Sequence, residues 1–357
     1  MKDGLRKLSV FTGKRILVTG DTGFKGSWLC LWLHHFGAKV TGYALPPERD
    51  DDHFNLLNLG QYISHITGDI RDWTTIKKVF EEVQPEILFH LAAQPIVRLS
   101  YRNPKLTFDT NVAGSVNVLE AMRQSRSLKA IVYVTSDKCY RNNEWVWGYR
   151  ENDALGGHDP YSASKAAAEI VFSSYLDSFF RSRNLGAASV RAGNVIGGGD
   201  WSPDRIVPDT MRSLKSNQPI RLRNPDSTRP WQHVLEPLSG YLMLAANLLV
   251  DPPKYSGSWN FGPDDDSIRS VKDLADGIIR HWGSGVTLVE RDESGPHETE
   301  MLHLNCDKAH RILEWFPKWK FEKTLEETVH WYRSVLSGVR AIDVSKDQIN
   351  RYMEGFS

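Results

Sequence analysis

Residues 15–26 read RILVTGDTGFKG, in which a short apolar run leads directly into three glycines, Gly20, Gly23 and Gly26. Apolar residues with helical periodicity follow from 24 to 36, so the glycines lie between a strand and a helix. Glycine lets the backbone approach a diphosphate closely, and the N–H groups at the start of the helix offer it hydrogen bonds. The stretch therefore predicts a dinucleotide-binding turn at the start of a doubly wound (Rossmann) α/β fold.

Strands and helices continue to alternate after this turn. Apolar runs predict strands at 39–44, 63–68, 87–91, 130–135 and 187–191, and helical patterns lie between them at 73–83, 104–124 and 161–180. Such alternation requires right-handed crossovers and a parallel sheet covered on both faces. A chain of 357 residues exceeds what one core usually serves. We therefore expect two units, a dinucleotide-binding domain over 1–195 and 229–255 and a smaller C-terminal α/β domain over 196–228 and 256–357.

Composition excludes several classes of partner. The chain has 44 basic and 44 acidic residues and no long basic run, which argues against binding to nucleic acid or to an anionic membrane surface. Its longest apolar run, 241–250, is about half of what a membrane span needs. No signal peptide is visible, so a cytoplasmic location is expected. Cys30, Cys139 and Cys306 show no metal-ligand spacing, and no metal site is predicted.

Tyr161 and Lys165 are four residues apart and fall on one face of a predicted helix. An ammonium group beside a phenol favours its ionised form and lowers its pKa from the ordinary value of about 10. The pair therefore predicts a tyrosine base. This spacing also arises in helices without catalytic function, but its position downstream of a dinucleotide turn favours the catalytic interpretation.

The part of the turn that selects between NAD and NADP is incomplete. An acidic residue about 20 positions after the glycines usually binds the ribose hydroxyls, but the second strand ends with Tyr43-Ala44-Leu45. Arg49, a little further on, would favour a 2'-phosphate. Asp69, at the end of the third strand, is a candidate for the adenine edge, with helix capping as the alternative. These residues alone leave the choice of cofactor open.

Four motifs occur in the order typical of the extended short-chain dehydrogenase/reductase superfamily, which the chain resembles over nearly its whole length. They are TGxxGFxG, HLAAQ at 90–94, YxxxK and NFGP at 260–263. Longer strings resemble the bacterial CDP-glucose 4,6-dehydratases within that superfamily. These strings are TSDKCY at 135–140, EWVWGYREN at 144–152, RAGNVIGGGDW at 191–201 and RPWQHVLEP at 229–237.

The resemblance implies an NAD-dependent lyase that converts CDP-D-glucose to CDP-4-keto-6-deoxy-D-glucose, a precursor of deoxysugars in polysaccharides such as the lipopolysaccharide O-antigen. Tyr161, assisted by Lys165, would take the proton of the C4 hydroxyl, and Ser136 would polarise the C4 oxygen. Asp137 would be the acid at the C6 oxygen. Lys138 stands where dehydratases acting on dTDP-glucose have a glutamate base. Since a lysine is a base only when neutral, a purely electrostatic role stays open for it.

The resemblance also implies the binding residues. Cofactor contacts are expected from Gly20, Thr22, Gly23, Phe24, Lys25, Gly26, Asp69, Ile70, Leu91, Ala92, Ala93, Tyr161 and Lys165. Substrate contacts are expected from Gln94, Asn194, Arg205, Arg229 and His297. Arg229 occupies the position of a diphosphate-binding arginine in related epimerases. Asp21 stands where the CDP-glucose group commonly has histidine, and a carboxylate near a pyrophosphate predicts weak NAD binding unless it points away.

Three alternatives follow from the same residues. A UDP-hexose 4-epimerase would use Tyr161 and Lys165 but has no need of Asp137 and Lys138. A dehydratase for another nucleotide sugar is excluded only by resemblance. A catalytically silent dinucleotide sensor would be expected to lose Tyr161, Lys165 or Asp137, and all three are present. Superfamily members also pair two long helices across a two-fold axis, so a homodimer or homotetramer through a four-helix bundle is expected.

Overall fold

The structure is a computed structural model that describes residues 8–290 and 302–354. Its strands, in chain order, are β1 (Arg15–Thr19), β2 (Lys39–Ala44), β3 (Ser64–Thr67), β4 (Ile87–His90), β5 (Ala130–Val134), β6 (Gly186–Ala192), β7 (Val195–Ile196), β8 (Ile220–Leu222), β9 (Thr228–Pro230), β10 (Gln232–His233), β11 (Gly257–Phe261), β12 (Ile268–Ser270) and β13 (Thr287–Val289).

The α-helices are α1 (Phe24–His35), α2 (His53–Leu56), α3 (Trp73–Val83), α4 (Val97–Arg102), α5 (Pro104–Phe108), α6 (Ser115–Gln124), α7 (Pro160–Tyr175), α8 (Ile206–Lys215), α9 (Leu235–Leu248), α10 (Pro252–Tyr255), α11 (Val271–Trp282), α12 (Phe321–Leu336) and α13 (Ala341–Glu354). The predicted helix over 104–124 is present with a π-helical segment, Asp109–Gly114, between α5 and α6. A second π-helical segment, Leu176–Phe180, extends α7.

Seven strands form one parallel sheet in the order β11-β6-β5-β4-β1-β2-β3. The order reverses between β1 and β4, and in doubly wound sheets ligands bind outside the carboxyl ends of the strands at such a reversal. The fold class predicted from the alternation is therefore confirmed. Three two-stranded pairs, β7 with β10, β9 with β12 and β8 with β13, lie outside this sheet.

Alternating side chains of the strands enter two separate cores. Ile16 and Val18 of β1 face α1 and α9, while Leu17 faces the side covered by α3, α6 and α7. Successive side chains of a strand point to opposite faces of the sheet. When both faces are buried, every position of the strand is therefore apolar. The first core extends to the end of the chain, because Tyr352 of α13 packs edge-on against Trp32 of α1 at 5.6 Å between ring centroids.

One predicted boundary needs correction. The sequence analysis placed residues from 256 onward in the second unit, whereas β11 (Gly257–Phe261) pairs with β6 along its whole length and forms an edge of the main sheet. The remainder of the predicted division stays a prediction. Of the described helices, none has the length and apolar character that crossing a bilayer demands.

Candidate active site

The glycine turn has the geometry of a diphosphate site. Gly20 has a φ of +80°, and a Cβ there would lie 2.7 Å from the backbone nitrogen of Ala92. A Cβ on Gly26 would lie 2.0 Å from the carbonyl oxygen of Gly20. Helix α1 starts at Phe24 after an extended Gly23, and no side chain of the described residues caps it. Its first N–H groups therefore point toward the turn, where they can bind an anion.

Asp21 points away from this turn. Its side chain is fully buried, and Oδ2 lies 2.7 Å from Nδ1 of His65 on β3. A Cβ on Gly42 of β2 would lie 2.0 Å from the same oxygen, so the carboxylate occupies space that only glycine leaves free. Burial raises the pKa of Asp21, and the hydrogen bond from His65 opposes that rise. The expected repulsion of a pyrophosphate is therefore reduced by orientation, by the histidine and by burial.

Asp69, the residue predicted at the adenine edge, and Ile70 follow the end of β3. The Asp69 carboxylate accepts hydrogen bonds from the backbone and guanidinium of Arg71, both at 2.9 Å. The side chain of Asn117 holds the carbonyl oxygen of Ile70 at 3.0 Å. Helix α3 is capped by Asp72 rather than by Asp69, which removes the alternative role considered for Asp69. Arg49, the candidate for a 2'-phosphate, is bound to Asp51 at 2.7 Å.

The segment after β4 carries the predicted residues Leu91 to Gln94. The backbone nitrogen of Leu91 donates to Thr19 at 3.0 Å, which brings this segment over the glycine turn. Gln94 is 7% exposed, its amide nitrogen donates to Thr107 at 2.8 Å, and its amide oxygen accepts from the backbone of Ile96 at 2.5 Å. The structure therefore favours a positioning role for Gln94 over the predicted substrate contact.

Ser136, Asp137 and Lys138 lie at the carboxyl end of β5, where the strand passes into a 3-10 turn over Asp137–Cys139. The Ser136 hydroxyl donates to Oδ1 of Asp137 at 2.9 Å. Asp137 is 4% exposed, and burial raises its pKa despite the opposing charge of Lys138 and the Ser136 hydrogen bond. A buried carboxyl with a raised pKa can hold a proton and donate it, as a general acid must.

Helix α7 presents Tyr161 and Lys165 to this strand end. Its N-terminus is capped by Asp159, which accepts from the backbone nitrogen of Ser162 at 3.0 Å. Tyr161 and Lys165 are 7% and 6% exposed. Burial raises the pKa of Tyr161 to about 12, although the Ser136 hydroxyl and the charge of Arg205 act in the opposite direction. The expected fall in the phenol pKa is therefore not produced by the protein alone, because burial outweighs the nearby cations.

Three cations surround the tyrosine and the aspartate. Burial lowers the pKa of Lys165 to about 8. Burial, together with the charge of Arg205, lowers that of Lys25 to about 8 as well, while Asp137 opposes the fall. The guanidinium of Arg205 is held by Asp200 at 3.0 Å. Lys25 was predicted from the glycine turn and Arg205 from the region after β7, and the structure brings both to the same site.

The other residues predicted to bind substrate are Asn194, Arg229 and His297. Asn194 follows β6 next to Gly193, where a Cβ would lie 3.1 Å from Oδ2 of Asp137. Arg229 lies on β9, half-buried, and donates to the carbonyl oxygen of Thr228 at 2.7 Å. His297 lies outside the described residues. The structure thus brings Gly193, the residue before Asn194, close to Asp137, and places Arg229 on β9.

Sequence reasoning missed three buried polar residues that hold this site. Asn111, in the π-helical segment, donates to Gln94 at 3.1 Å and to Ser164 at 2.9 Å, which ties the segment after β4 to α7. Glu169 and Arg191 form a buried ion pair between α7 and β6. A signal for Glu169 was available, because it continues the four-residue spacing of Tyr161 and Lys165 on the same helix face.

Comparison with known proteins identifies the family of this chain. The family described as GDP-mannose 4,6 dehydratase matches residues 17–328. The chain belongs to this family. It is 49% identical over 346 residues to a CDP-glucose 4,6-dehydratase of Salmonella typhimurium, a match that covers 96% of each chain. A dTDP-glucose 4,6-dehydratase of Shigella flexneri is 23% identical over 341 residues and shares 89% of this chain and 92% of its own.

Solved structures of related enzymes share the fold of this dehydratase-family chain. A dTDP-glucose 4,6-dehydratase of Bacillus anthracis in complex with NAD has a TM-score of 0.76 at 22% identity, covering 92% of this chain and 99% of that one. A UDP-glucose 4-epimerase of Thermotoga maritima has a TM-score of 0.77 at 22% identity, with 90% and 99% covered. Dehydratases and epimerases are equally similar at this level, so the fold alone does not separate them.

Proposed function

We propose that this protein is an NAD-dependent hydro-lyase that converts CDP-D-glucose to CDP-4-keto-6-deoxy-D-glucose. The observation that carries the proposal is Asp137, a buried carboxyl with a raised pKa that accepts a hydrogen bond from Ser136 at 2.9 Å, beside Tyr161 and Lys165. The 49% identity to a curated CDP-glucose 4,6-dehydratase supports the same reaction and the same nucleotide.

The residues present fit a bound NAD. The turn from Gly20 to Gly26 has room for a diphosphate only because side chains are absent there, and Asp69 and Ile70 lie where an adenine edge would be read. The pairing of Arg49 with Asp51 leaves that guanidinium neutralised, which supports NAD over NADP. When bound, NAD would supply the hydride acceptor for oxidation at C4 and the hydride donor for reduction at C6.

Tyr161 carries the first proton transfer. Its phenolate form takes the proton of the C4 hydroxyl as C4 is oxidised. The Ser136 hydroxyl, which donates to Asp137 in the structure, would turn to donate its single hydrogen bond to the developing ketone oxygen. Lys165 supports the phenolate only while it is itself protonated, and its pKa of about 8 keeps it so near neutral pH. Tyr161 has a pKa of about 12 in the protein alone, and the positive charge of a bound oxidised nicotinamide would favour its phenolate form.

Asp137 and Lys138 carry the elimination. The C4 ketone makes the C5 proton acidic, and Asp137 protonates the C6 hydroxyl so that it leaves as water. Lys138 is the proposed base for the C5 proton in its neutral form; in its charged form it would instead stabilise the enolate that forms as the proton leaves. Lys138 lies half-buried in the same 3-10 turn, directly after Asp137. The C5 proton is returned when C6 is reduced, and the product is one water lighter than the substrate.

The sugar nucleotide is proposed to bind between the turn after β7 and strand β9. Arg205 reaches the site from the start of α8, and its position is fixed by Asp200 at 3.0 Å. Arg229 on β9 is the proposed second cation for the substrate diphosphate. Asn194 lies next to Gly193, which approaches Asp137, and is the proposed hydrogen-bonding partner of the sugar.

The experiment that tests this function uses purified protein, NAD+ and the CDP-, dTDP-, UDP- and GDP-linked glucoses in separate reactions, with products followed by mass. Loss of one water from CDP-glucose alone is the expected result. Water loss from another nucleotide sugar alone would correct the base specificity. Unchanged mass with conversion of glucose to galactose would replace the proposal with the 4-epimerase and leave Asp137 with a structural role.

The assembly proposed with this function is a homodimer, or a dimer of dimers, through a four-helix bundle. Large apolar side chains are exposed along the predicted surface: Ile170 of α7 is 59% exposed, Phe108 of α5 is 40% and Phe179 is 39%. A sedimentation measurement on the wild type and on Ile170→Glu tests the bundle, because a charge at this position is expected to give a monomer. A cytoplasmic location and a place in deoxysugar synthesis for surface polysaccharides complete the proposal.

A further inference from the structure

A fully buried ion pair lies between α7 and β6. Glu169 of α7 and Arg191 of β6 are each 2% exposed. Nε of Arg191 donates to Oε1 of Glu169 at 3.0 Å, and Nη2 donates to Oε2 at 2.8 Å. This bidentate geometry is the strongest form of an arginine–carboxylate contact. Neither residue is reached by the proposed substrate, so their function must be exerted through their neighbours.

One neighbour is the strand that carries the proposed acid. The Thr135 hydroxyl donates to Oε1 of Glu169, and the Thr135 backbone nitrogen donates to the carbonyl oxygen of Val190 at 2.9 Å. Ser189 donates to the other carboxylate oxygen at 2.7 Å. Thr135 directly precedes Ser136 and Asp137. Its hydrogen bond to the Glu169 carboxylate therefore fixes the positions of both residues at the end of β5.

The second neighbour is Lys165. Glu169 follows it by one helical turn on the same face of α7, and the negative charge of Glu169 favours the protonated lysine. The titratable groups that interact with Lys165 from surrounding elements are His90 of β4, Lys25 of α1, Cys139 of the 3-10 turn and Glu169 itself. Burial raises the pKa of the Cys139 thiol well above its ordinary value. Glu169 is therefore the negative charge near Lys165 at neutral pH.

The third neighbour is the segment after the catalytic turn. Arg191 donates from Nη1 to the Tyr140 hydroxyl at 2.6 Å and to the carbonyl oxygen of Glu151 at 3.0 Å, and its guanidinium lies 4.8 Å from the Tyr140 ring centre. The Tyr140 hydroxyl donates to Asn260 of β11 at 2.8 Å. The pair thus joins α7, β5, β6, β11 and the segment leading to Glu151.

A buried ion pair is a poor way to gain stability, because removing two charges from water costs about as much as their attraction returns. Its value lies in fixing a single geometry. We propose that Glu169 and Arg191 are positioning residues of the proposed dehydratase, which hold the Asp137 strand end and the Lys165 ammonium group in the arrangement that the reaction needs. This inference rests on the proposed function for its kinetic test.

A pH dependence follows from the charge of Glu169. The charge stabilises the protonated Lys165, so its removal lowers the lysine pKa below its value of about 8. Lys165 then loses its proton at a lower pH. The alkaline limb of the pH profile of kcat therefore shifts to lower pH. A residue that only fills space would lower the thermal stability without moving this limb.

The test compares Glu169→Gln with Glu327→Gln. Glu327 of α12 is also a buried carboxylate with an arginine partner, Arg351 at 2.7 Å, and belongs to no catalytic element. Both variants are expected to lower the melting temperature. Only Glu169→Gln is expected to lower kcat, by about 10- to 100-fold, because small misplacements of catalytic groups have effects of this size. Only this variant is expected to shift the alkaline limb of the kcat profile to lower pH. An unchanged limb, with no greater loss of kcat than in Glu327→Gln, would overturn the proposal.

Two further measurements keep the outcome decisive. Thr135→Val removes only the hydroxyl that binds Glu169, and it is expected to lower kcat about 10-fold or more while leaving the pH limb in place; wild-type kcat would contradict the positioning role. The Lys165 titration, followed by NMR on labelled lysine and assigned with Lys165→Met, needs no substrate. A lower Lys165 pKa in Glu169→Gln supports the inference even when CDP-glucose is not the substrate, and an unchanged pKa contradicts it.

Discussion

Replacing Lys165 with methionine is expected to stabilise the fold and to abolish activity. Lys165 is 6% exposed, and burial lowers its pKa from 10.5 to about 8. Methionine is of similar length and carries no charge, so Lys165→Met keeps most of the packing and removes the buried ammonium group. Its effect on stability therefore measures the cost of keeping a charged lysine at the site.

The size of the effect follows from the two pKa values. A pKa difference of about 2.5, at about 1.4 kcal/mol for each pKa unit, gives roughly 3 kcal/mol in favour of the variant at pH 7. The folded-state pKa lies below the unfolded one, so the cost is present in full below about pH 8 and disappears as the pH rises to 10.5. At pH 9.5 about 1 kcal/mol of the difference remains.

Urea unfolding at pH 7 and pH 9.5 measures this difference directly, with kcat measured on the same preparations. Lys78→Met on the exposed face of α3 is the control, because its side chain is 72% exposed and its replacement is expected to change stability by less than about 0.5 kcal/mol. A Lys165→Met protein that is no more stable than the wild type at pH 7, or equally stabilised at both pH values, would refute the reasoning.

Three other outcomes follow from individual residues. Asp137→Asn is expected to lower the rate of water loss by about 10²- to 10⁴-fold, while stopped-flow absorbance still shows reduction of the nicotinamide. Glu236→Gln is expected to flatten the pH dependence of urea unfolding, because burial raises the Glu236 pKa from 4.5 to about 7. The protonated carboxyl stabilises the folded state in full below pH 4.5, and up to about 3 kcal/mol of this stabilisation is lost by neutral pH. Gly42→Ala places a Cβ 2.0 Å from Asp21 and is expected to lower stability by about 1–3 kcal/mol and to weaken NAD binding in calorimetry. Gly60→Ala, with no atom within 4 Å of its Cβ, should change neither.

The sequence predicts those features that depend on neighbouring residues. Six strands of the main sheet and the helices between them follow from apolar periodicity, and the bounds of 15–19, 39–44 and 73–83 agree with β1, β2 and α3. The seventh strand, Gly257–Phe261, was not predicted, and its place at the edge of the sheet is decided by pairing with β6, some 70 residues earlier. A local pattern carries no information about such a partner.

Local sequence patterns also predict only part of the candidate active site. The spacing of Tyr161 and Lys165 correctly placed both on one helix face, but the direction of the tyrosine pKa depends on burial beneath several elements. The orientation of Asp21 depends on Gly42 and His65, which lie on two other strands. In each case contacts distant in sequence decide the outcome.

The central claim is that one site oxidises C4, removes water across C5 and C6, and reduces C6 with the same hydride. CDP-glucose carrying deuterium at C4 tests it in a single reaction with catalytic NAD+, followed by mass spectrometry and NMR of the product. The expected product has lost one water and carries the deuterium at C6. A product of unchanged mass with the deuterium at C4 and the configuration inverted there would contradict it.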